Sequence, residues 1–414
     1  MSENFYIKNL PNGLTLLGQQ MDQVASAAIT LLVAGGASHD PTGLEGAAAV
    51  ASEWCLRGAG DRNTRQLNDD LDALGCQHHE SVTSEHIQFS AAQLGRNLAD
   101  VLAIYADIIR RPRLEDSTFE PSRALVIQTL ASLEDEPARK CGLLLQERFY
   151  PQPLGRLIYG RAESLQAMSH DAAREHIRSC LNPRGSILAV TGSFDWHVFC
   201  DVAEHCFGDW PEQPVEPIKT TLPPAGLTHI PKDSTQTHIA LAHRSAAVSA
   251  PRYYAARMAE TVLSGGMSGR LFTEVREKRG LAYHVSSHYH SLKEFAGMFT
   301  YAGTPPDRAQ QTFEVTVGEL RRLVEGIEPD EMDRARTQLK SALVMQGEST
   351  TARADALAGD WYHLRRLRSL SELSEAIEKV TPEEVLAYLR EFPAENFTVL
   401  TIGPEPLDIS LIDG

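Results

Sequence analysis

The chain of 414 residues repeats its own pattern, and this repeat limits the possible folds more than any single motif does. From Leu98, the series Leu98, Val101, Leu102, Tyr105, Ile108 has helical spacing. An Arg-Pro break comes next, then Leu114-Glu115 and Phe119 to Arg123. About 210 residues later, Phe313, Val317, Leu320, Val324 form a second amphipathic series, succeeded by Ile327-Glu328-Pro329 and Met332 to Arg336. The ends of the blocks match too. Ser169-His170-Asp171 opens a helix, and after Asn182-Pro183-Arg184-Gly185 comes a strand, Ser186 to Gly192. Thr381-Pro382-Glu383-Glu384 opens another, with Thr as N-cap and Pro in the first turn, and after Pro393 comes the strand Phe397 to Gly403. Matched blocks in the same order predict two halves built on one plan.

Each half mixes strands and helices without regular alternation, and no Gly-x-Gly-x-x-Gly follows a strand. The expected class is α+β for each half, with layers of strands and helices segregated. Five prolines fall within Asp209 to Pro217 and Leu222 to Gly226. They predict an extended linker over 216–230, between halves 1–215 and 231–414.

Charge narrows the function classes. The 55 acidic and 39 basic side chains leave a net charge of −16, which repels phosphate backbones and excludes nucleic acid as the expected partner. No apolar stretch approaches the roughly 20 residues of a membrane span, and Met1-Ser2-Glu3-Asn4-Phe5 has neither a basic cluster nor an apolar signal core. A cytoplasmic chain without membrane contact is expected. Cys55, Cys76, Cys141, Cys180, Cys200 and Cys206 are scattered with no Cys-x-x-Cys pair, which argues against a disulfide framework or a thiolate zinc site.

The segment Ser264 to Tyr283 carries the most information. It reads as a helix end at Gly265-Gly266, a new helix capped by Ser268 with Leu271, Phe272 and Val275 as its buried stripe, a stop at Gly280, and then a strand through Leu281, Tyr283 and Val285. Arg276 in the last turn and Tyr283 at the strand start can lean over one sheet edge. The string Gly265-Gly266-Met267-Ser268-x-Arg270-Leu271-Phe272, continuing Arg276-Glu277-x-Arg279-Gly280-Leu281-Ala282-Tyr283, resembles the C-terminal half of the insulinase/pitrilysin family of zinc peptidases. The likeness is to the short two-domain members that include the subunits of mitochondrial processing peptidase. Leu10 to Leu14, Gly35-Gly36-Ala37-Ser38, Thr83-Ser84-Glu85-His86 and Glu134-Asp135-Glu136-Pro137 keep the family order. The resemblance implies two similar halves, each a mostly antiparallel sheet covered by helices, facing across a cavity that encloses an extended peptide. It also implies that Arg276 and Tyr283 act at the scissile bond and that Gly265 and Gly266 contact substrate.

The first half departs from the family pattern. Zinc peptidases of this kind carry His-x-x-Glu-His on one helix, with two His holding zinc and Glu activating water. The matching helix here aligns Ala49 and Glu53 with the histidines and Ser52 with the general base, and Thr129 or its neighbour Gln128 falls at the third ligand. Alanine and threonine are no useful zinc ligands, and serine cannot replace the carboxylate. No metal is therefore expected in this chain. His78 and His79 are strand neighbours that point to opposite faces, and His288 and His290 share a face without a carboxylate at ligand spacing. Cys55 beside Trp54 reads as a packed thiol. The resemblance then implies a non-catalytic subunit that pairs with a homologous zinc-bearing chain and supplies Arg276 and Tyr283 to peptide hydrolysis, with peptide added along the edge near Gln77 to Thr83. Two alternatives stand beside it: a structural or peptide-binding scaffold with no part in proteolysis, which would self-associate or serve an assembly, and a self-sufficient enzyme with a non-standard metal site.

Overall fold

The computed structural model describes residues 3–214, 217–223, 226–410 and 412. They form two compact units, each α+β. The first comprises the described residues of Met1–Ser132, Arg156–Thr220 and Gln346–Arg368, and the second those of Leu133–Gly155, Thr221–Met345 and Ser369–Gly414.

The first unit holds strands β1 (Phe5–Asn9), β2 (Thr15–Gln20), β3 (Ser26–Ala34), a small pair β4 (Gly58–Ala59) and β5 (Arg62–Asn63), then β6 (Gln77–Val82), β7 (His86–Leu94) and β8 (Asn182–Gly192). The second unit holds β9 (Gly226–Pro231), β10 (Thr237–Ser245), β11 (His284–Ser291), β12 (Ala296–Thr304) and β13 (Thr398–Gly403). The sheet orders are β1-β2-β8-β3-β7-β6 and β9-β13-β10-β12-β11. Apart from β1, the two orders are the same. Each sheet has one parallel pair, β2 with β8 and β9 with β13, and its other pairs are antiparallel.

Alternation along the strands gives each sheet two apolar faces. In the first unit Ile29, Leu31, Val33, Leu188 and Val190 meet the helices Ala47–Trp54 and Leu98–Arg110, while Leu17, Ile187 and Ala189 face the other way. That second face is covered by the helix Thr350–Leu364, through Leu357 and Ala358. The arrangement is reciprocal. The helix Pro137–Phe149, 213 residues earlier (350 − 137), covers the second sheet with Cys141 and Leu145 against Ala240, Ala242, Phe299 and Leu400. Compact units and sequence halves therefore do not coincide, because each half lends one helix to the other's sheet.

The lent helix Thr350–Leu364 is also fastened by polar bonds. Thr191 Oγ1 donates to the Thr350 carbonyl (2.6 Å), and Thr30 Oγ1 and Gln88 Nε2 donate to Asp355 Oδ1 (2.6 and 3.0 Å). Arg353, 1% exposed, places two guanidinium nitrogens 2.9 and 2.7 Å from Gln19 Oε1.

The proline-rich linker is shorter than its composition predicts. Gly226–Pro231 pairs with β13 as an edge strand, since proline at a strand end on an edge removes no needed donor. Residues 215, 216, 224 and 225 of this stretch lie outside the described residues.

Arg353→Ala would leave the buried Gln19 carbonyl without its donors and open a gap under the lent helix. A loss of about 2–4 kcal/mol is expected, read as a lower urea midpoint. Arg353→Lys, retaining one donor, is expected to lose less.

Candidate functional site

In the first unit the chain leaves β3 through Gly35-Gly36-Ala37-Ser38 and meets the hairpin turn Thr83–His86. Gly35 and Gly36 N–H donate to the Glu85 carbonyl (3.3 and 3.1 Å), Ala37 N–H to Thr83, and Ser38 N–H to Ser84. Two of the short motifs read separately in the sequence are thus one bonded loop pair. Gly36 is required here, because a Cβ would lie 2.3 Å from the His86 nitrogen. Asp40 comes next and accepts from Gly46 and Ala48 N–H (2.8 and 2.9 Å), fixing the start of the helix Ala47–Trp54.

That helix packs against both β6 and the helix Asp116–Ser132, which carries Thr129. The side chains at the zinc-motif positions are different in kind. Ala49 is buried in the core, and Ser52 Oγ donates to the Ala49 carbonyl (2.9 Å). Thr129 Oγ1 donates to the Leu125 carbonyl (2.9 Å), and Gln128 is exposed. Glu53 is half-buried; burial raises its carboxyl above the usual range, opposed by Arg57 and reinforced by Glu80. One carboxylate, two hydroxyls bonded to carbonyls and a methyl group do not fit zinc. Among the described residues no group of three or more His, Cys, Asp or Glu is placed to hold a metal ion. Burial also pushes the Cys55 thiol up to about 12, which leaves it protonated and unreactive at neutral pH.

The histidines near these strands have other engagements. His78 Nδ1 lies 3.1 Å from Glu80 Oε1, which also accepts from Tyr105 Oη at 3.1 Å. His288 stacks on Phe299, and His290 Nδ1 lies 2.7 Å from Tyr150 Oη.

The second unit holds Arg276 and Tyr283. The helix Tyr253–Ser264 ends at Gly265, where a Cβ would lie 2.2 Å from Gln338 Oε1 and 2.4 Å from the Thr261 carbonyl. Gly266 comes next at φ +97°, in the left-handed region that favours glycine, and Met267 at the loop tip is 76% exposed. Ser268, expected as an N-cap, does not cap the next helical segment. Helical structure resumes only at Arg270, and Phe272–Glu277 is a π-helix, with Lys278 N–H bonded to the Thr273 carbonyl five residues back (2.9 Å). Such wide turns concentrate at functional sites, and hydrophobic spacing alone does not distinguish them from an α-helix.

Charges in this segment are sorted by their partners. Arg270 makes a bidentate bond to Glu331 (2.7 and 2.6 Å) and donates to the Gly326 carbonyl, so the Arg of Arg-Leu-Phe is structural. Glu274 accepts from Lys278 Nζ (2.7 Å) and Arg279 Nη1 (2.6 Å), and these cations hold its carboxyl down to about 2. Arg276 is exposed, its guanidinium 5.0 Å from the Phe272 ring centroid. Tyr283 donates its N–H to the Gly303 carbonyl (3.0 Å) one residue before β11, and its side chain is 63% exposed. Motif reasoning does not single out Glu274. Its spacing to Lys278 (i, i+4) is the signal that could have found it.

Comparison with known proteins places this geometry. Residues 16–161 match the family model of insulinase (peptidase family M16), and residues 167–339 match that of the peptidase M16 inactive domain. The chain belongs to the insulinase family, M16. An uncharacterized zinc protease of Rickettsia bellii is 28% identical over 98% of this chain and 99% of its own length. One from Bacillus subtilis is 26% identical over 95% of this chain and 97% of its own. Among solved structures, a peptidase M16 inactive domain from Pseudomonas fluorescens superposes with a TM-score of 0.88 at 19% identity, covering 98% of this chain and 99% of its own. A protease from Helicobacter pylori superposes with a TM-score of 0.89 at 17% identity, covering 97% of this chain and all of its own. No helix among the described residues is long and apolar enough to cross a membrane.

Restoring the ligand set should restore metal affinity. The combined variant A49H/S52E/E53H/T129E is expected to bind about one zinc per chain by elemental analysis, and wild type to carry no stoichiometric zinc. Glu274 gives a pH prediction. Its folded value lies below the ordinary value of 4.5, so its contribution to stability is full above about 4.5 and fades as pH falls through about 2. Wild type should therefore exceed Glu274→Gln in stability at pH 6, with the difference vanishing near pH 2 in acid-unfolding curves.

Proposed function

We propose that this chain is the non-catalytic member of a two-chain M16 peptidase. Its partner is a homologous chain carrying the zinc motif, and the substrate is an extended peptide. The observation that carries this reading is the asymmetry between the halves. The zinc-motif positions hold Ala49, Ser52, Glu53 and Thr129, whereas Arg276 and Tyr283 are both present and solvent-exposed, with Lys278 and Arg279 drawn to Glu274. A scaffold would need neither.

In this role Arg276 donates to a substrate carbonyl and Tyr283 donates its hydroxyl to the oxyanion that develops as water attacks in the partner's zinc site. The peptide adds as a strand along β6. In the second unit Gly265 and Gly266 leave the backbone of their loop open to substrate. The net charge of −16 favours basic peptides.

The test is reconstitution. The chain is mixed with a zinc-bearing homologue from the same cell, and cleavage of a basic peptide is monitored. Arg276→Ala and Tyr283→Phe are each expected to lower kcat by about 100-fold, the usual cost of one oxyanion donor, without changing complex formation. Unchanged rates with both variants would support the scaffold reading instead.

A further inference from the structure

β6 and β11 occupy the same end of the two sheets, and each is the outermost strand there. Each is preceded in sequence by a helix that packs against it, Ala47–Trp54 for β6 and Tyr253–Ser264 for β11. In an antiparallel ladder alternate residues turn their N–H groups toward the neighbour and away from it. The outward groups of the two edges meet different surroundings.

On β11 two of the outward donors are used. Ser287 N–H donates to Ser264 Oγ (2.9 Å) and Tyr289 N–H donates to Glu260 Oε1 (3.0 Å). The two acceptors are four residues apart on one helix face, matching two donors two residues apart on the strand. The plug is itself braced. Glu260 Oε2 accepts from Arg257 Nε (2.8 Å), Arg257 lies over the Tyr289 ring at 5.7 Å, and Tyr289 Oη donates to the Ala246 carbonyl (2.8 Å).

On β6 the register is set by Thr83 N–H, bonded inward to the His86 carbonyl (2.8 Å), so His78, Glu80 and Val82 present their N–H groups outward. On the facing helix Ala49 has no polar side-chain atom, Ser52 Oγ is bonded to the Ala49 carbonyl, and Glu53, four residues on from Ala49, is the one carboxylate. Among the described residues no side chain of that helix bonds a β6 amide.

We infer that, of the two corresponding edges β6 and β11, only β6 accepts an added peptide strand, because Glu260 and Ser264 close β11 from within. The inference rests on the peptide-binding reading above and adds to it that the matching edge of the second unit is closed, so that one strand binds at this pair of edges and not two. Closure makes β11 unable to pair with a peptide or with another chain's edge without first breaking two backbone-to-side-chain bonds.

The experiment compares the full-length chain with the double variant E260A/S264A, using an unstructured lysine- and valine-rich peptide as probe. Calorimetric stoichiometry and amide hydrogen exchange are read with and without peptide. Wild type is expected to bind one peptide and gain protection at Glu80 and Val82. The double variant is expected to bind two and gain protection at Ser287 and Tyr289 as well. A variant that still binds one peptide, at β6, overturns the closure while leaving the peptide reading intact. Absence of peptide binding to either protein overturns the peptide reading, and closure is then decided without peptide. Exchange at Ser287 and Tyr289 should rise at least about tenfold in the double variant, and in Glu260→Gln, which keeps an acceptor, by less. Equal exchange in all three proteins overturns it.

Discussion

Both sheets carry apolar side chains on both faces, so each needs a second cover that its own succession of helices does not provide. The lent helices Pro137–Phe149 and Thr350–Leu364 supply it. Leu357 and Ala358 close over Leu17, Ile187 and Ala189, and Cys141 and Leu145 close over Ala240, Ala242 and Leu400. Polar groups are admitted where they meet a partner, as Arg353 does at Gln19 and Asp355 at Thr30. With both faces sealed, the strands become rigid supports from which β6, the π-helical segment and Tyr283 are presented.

On those supports the two halves have diverged in chemistry while keeping one plan. The helix Ala47–Trp54 is rich in alanine and sits deep, and its single carboxylate, Glu53, is partly desolvated. In the second half the helix at the same stage carries Glu260 and Ser264 and spends them on backbone donors. Charge is similarly assigned around Arg276. Arg270 is fixed by Glu331, and Lys278 and Arg279 by Glu274, so four basic residues within one short segment have distinct duties.

Much of this was legible in the sequence because it depends on local spacing. The repeat, the α+β class of each half, the strands that end both blocks and the departure at Ala49, Ser52 and Glu53 all derive from periodicity or motif register. What was not legible depends on partners distant in the chain. Cys141 and Leu145, or Leu357 and Ala358, have the spacing of any amphipathic helix, and nothing local shows that the sheet they cover belongs to the other half. Ser268 has the chemistry of an N-cap, but the turn through Gly269 places the helix start beyond it. Gly226–Pro231 comes after prolines and reads as linker, yet its backbone is recruited by β13, whose free edge it completes. Glu260 and Ser264 look like solvated helix residues until the strand beside them is known.

The exchange of helices also sets an order of events on the ribosome. All strands of the first sheet exist once Gly192 is made, but the helix that covers its second face ends at Leu364, 172 residues later (364 − 192). At roughly 5–20 residues per second this amounts to about ten to thirty seconds of synthesis. Through that interval Leu17, Ile187 and Ala189 lie on a finished sheet with no lid, a surface that invites chaperones or neighbouring nascent chains. The helix Pro137–Phe149 waits longer still, since Leu400 emerges 251 residues after Phe149 (400 − 149). Folding of the two halves is thus coupled in time, and a nascent chain cannot complete the first core before most of the second has been translated.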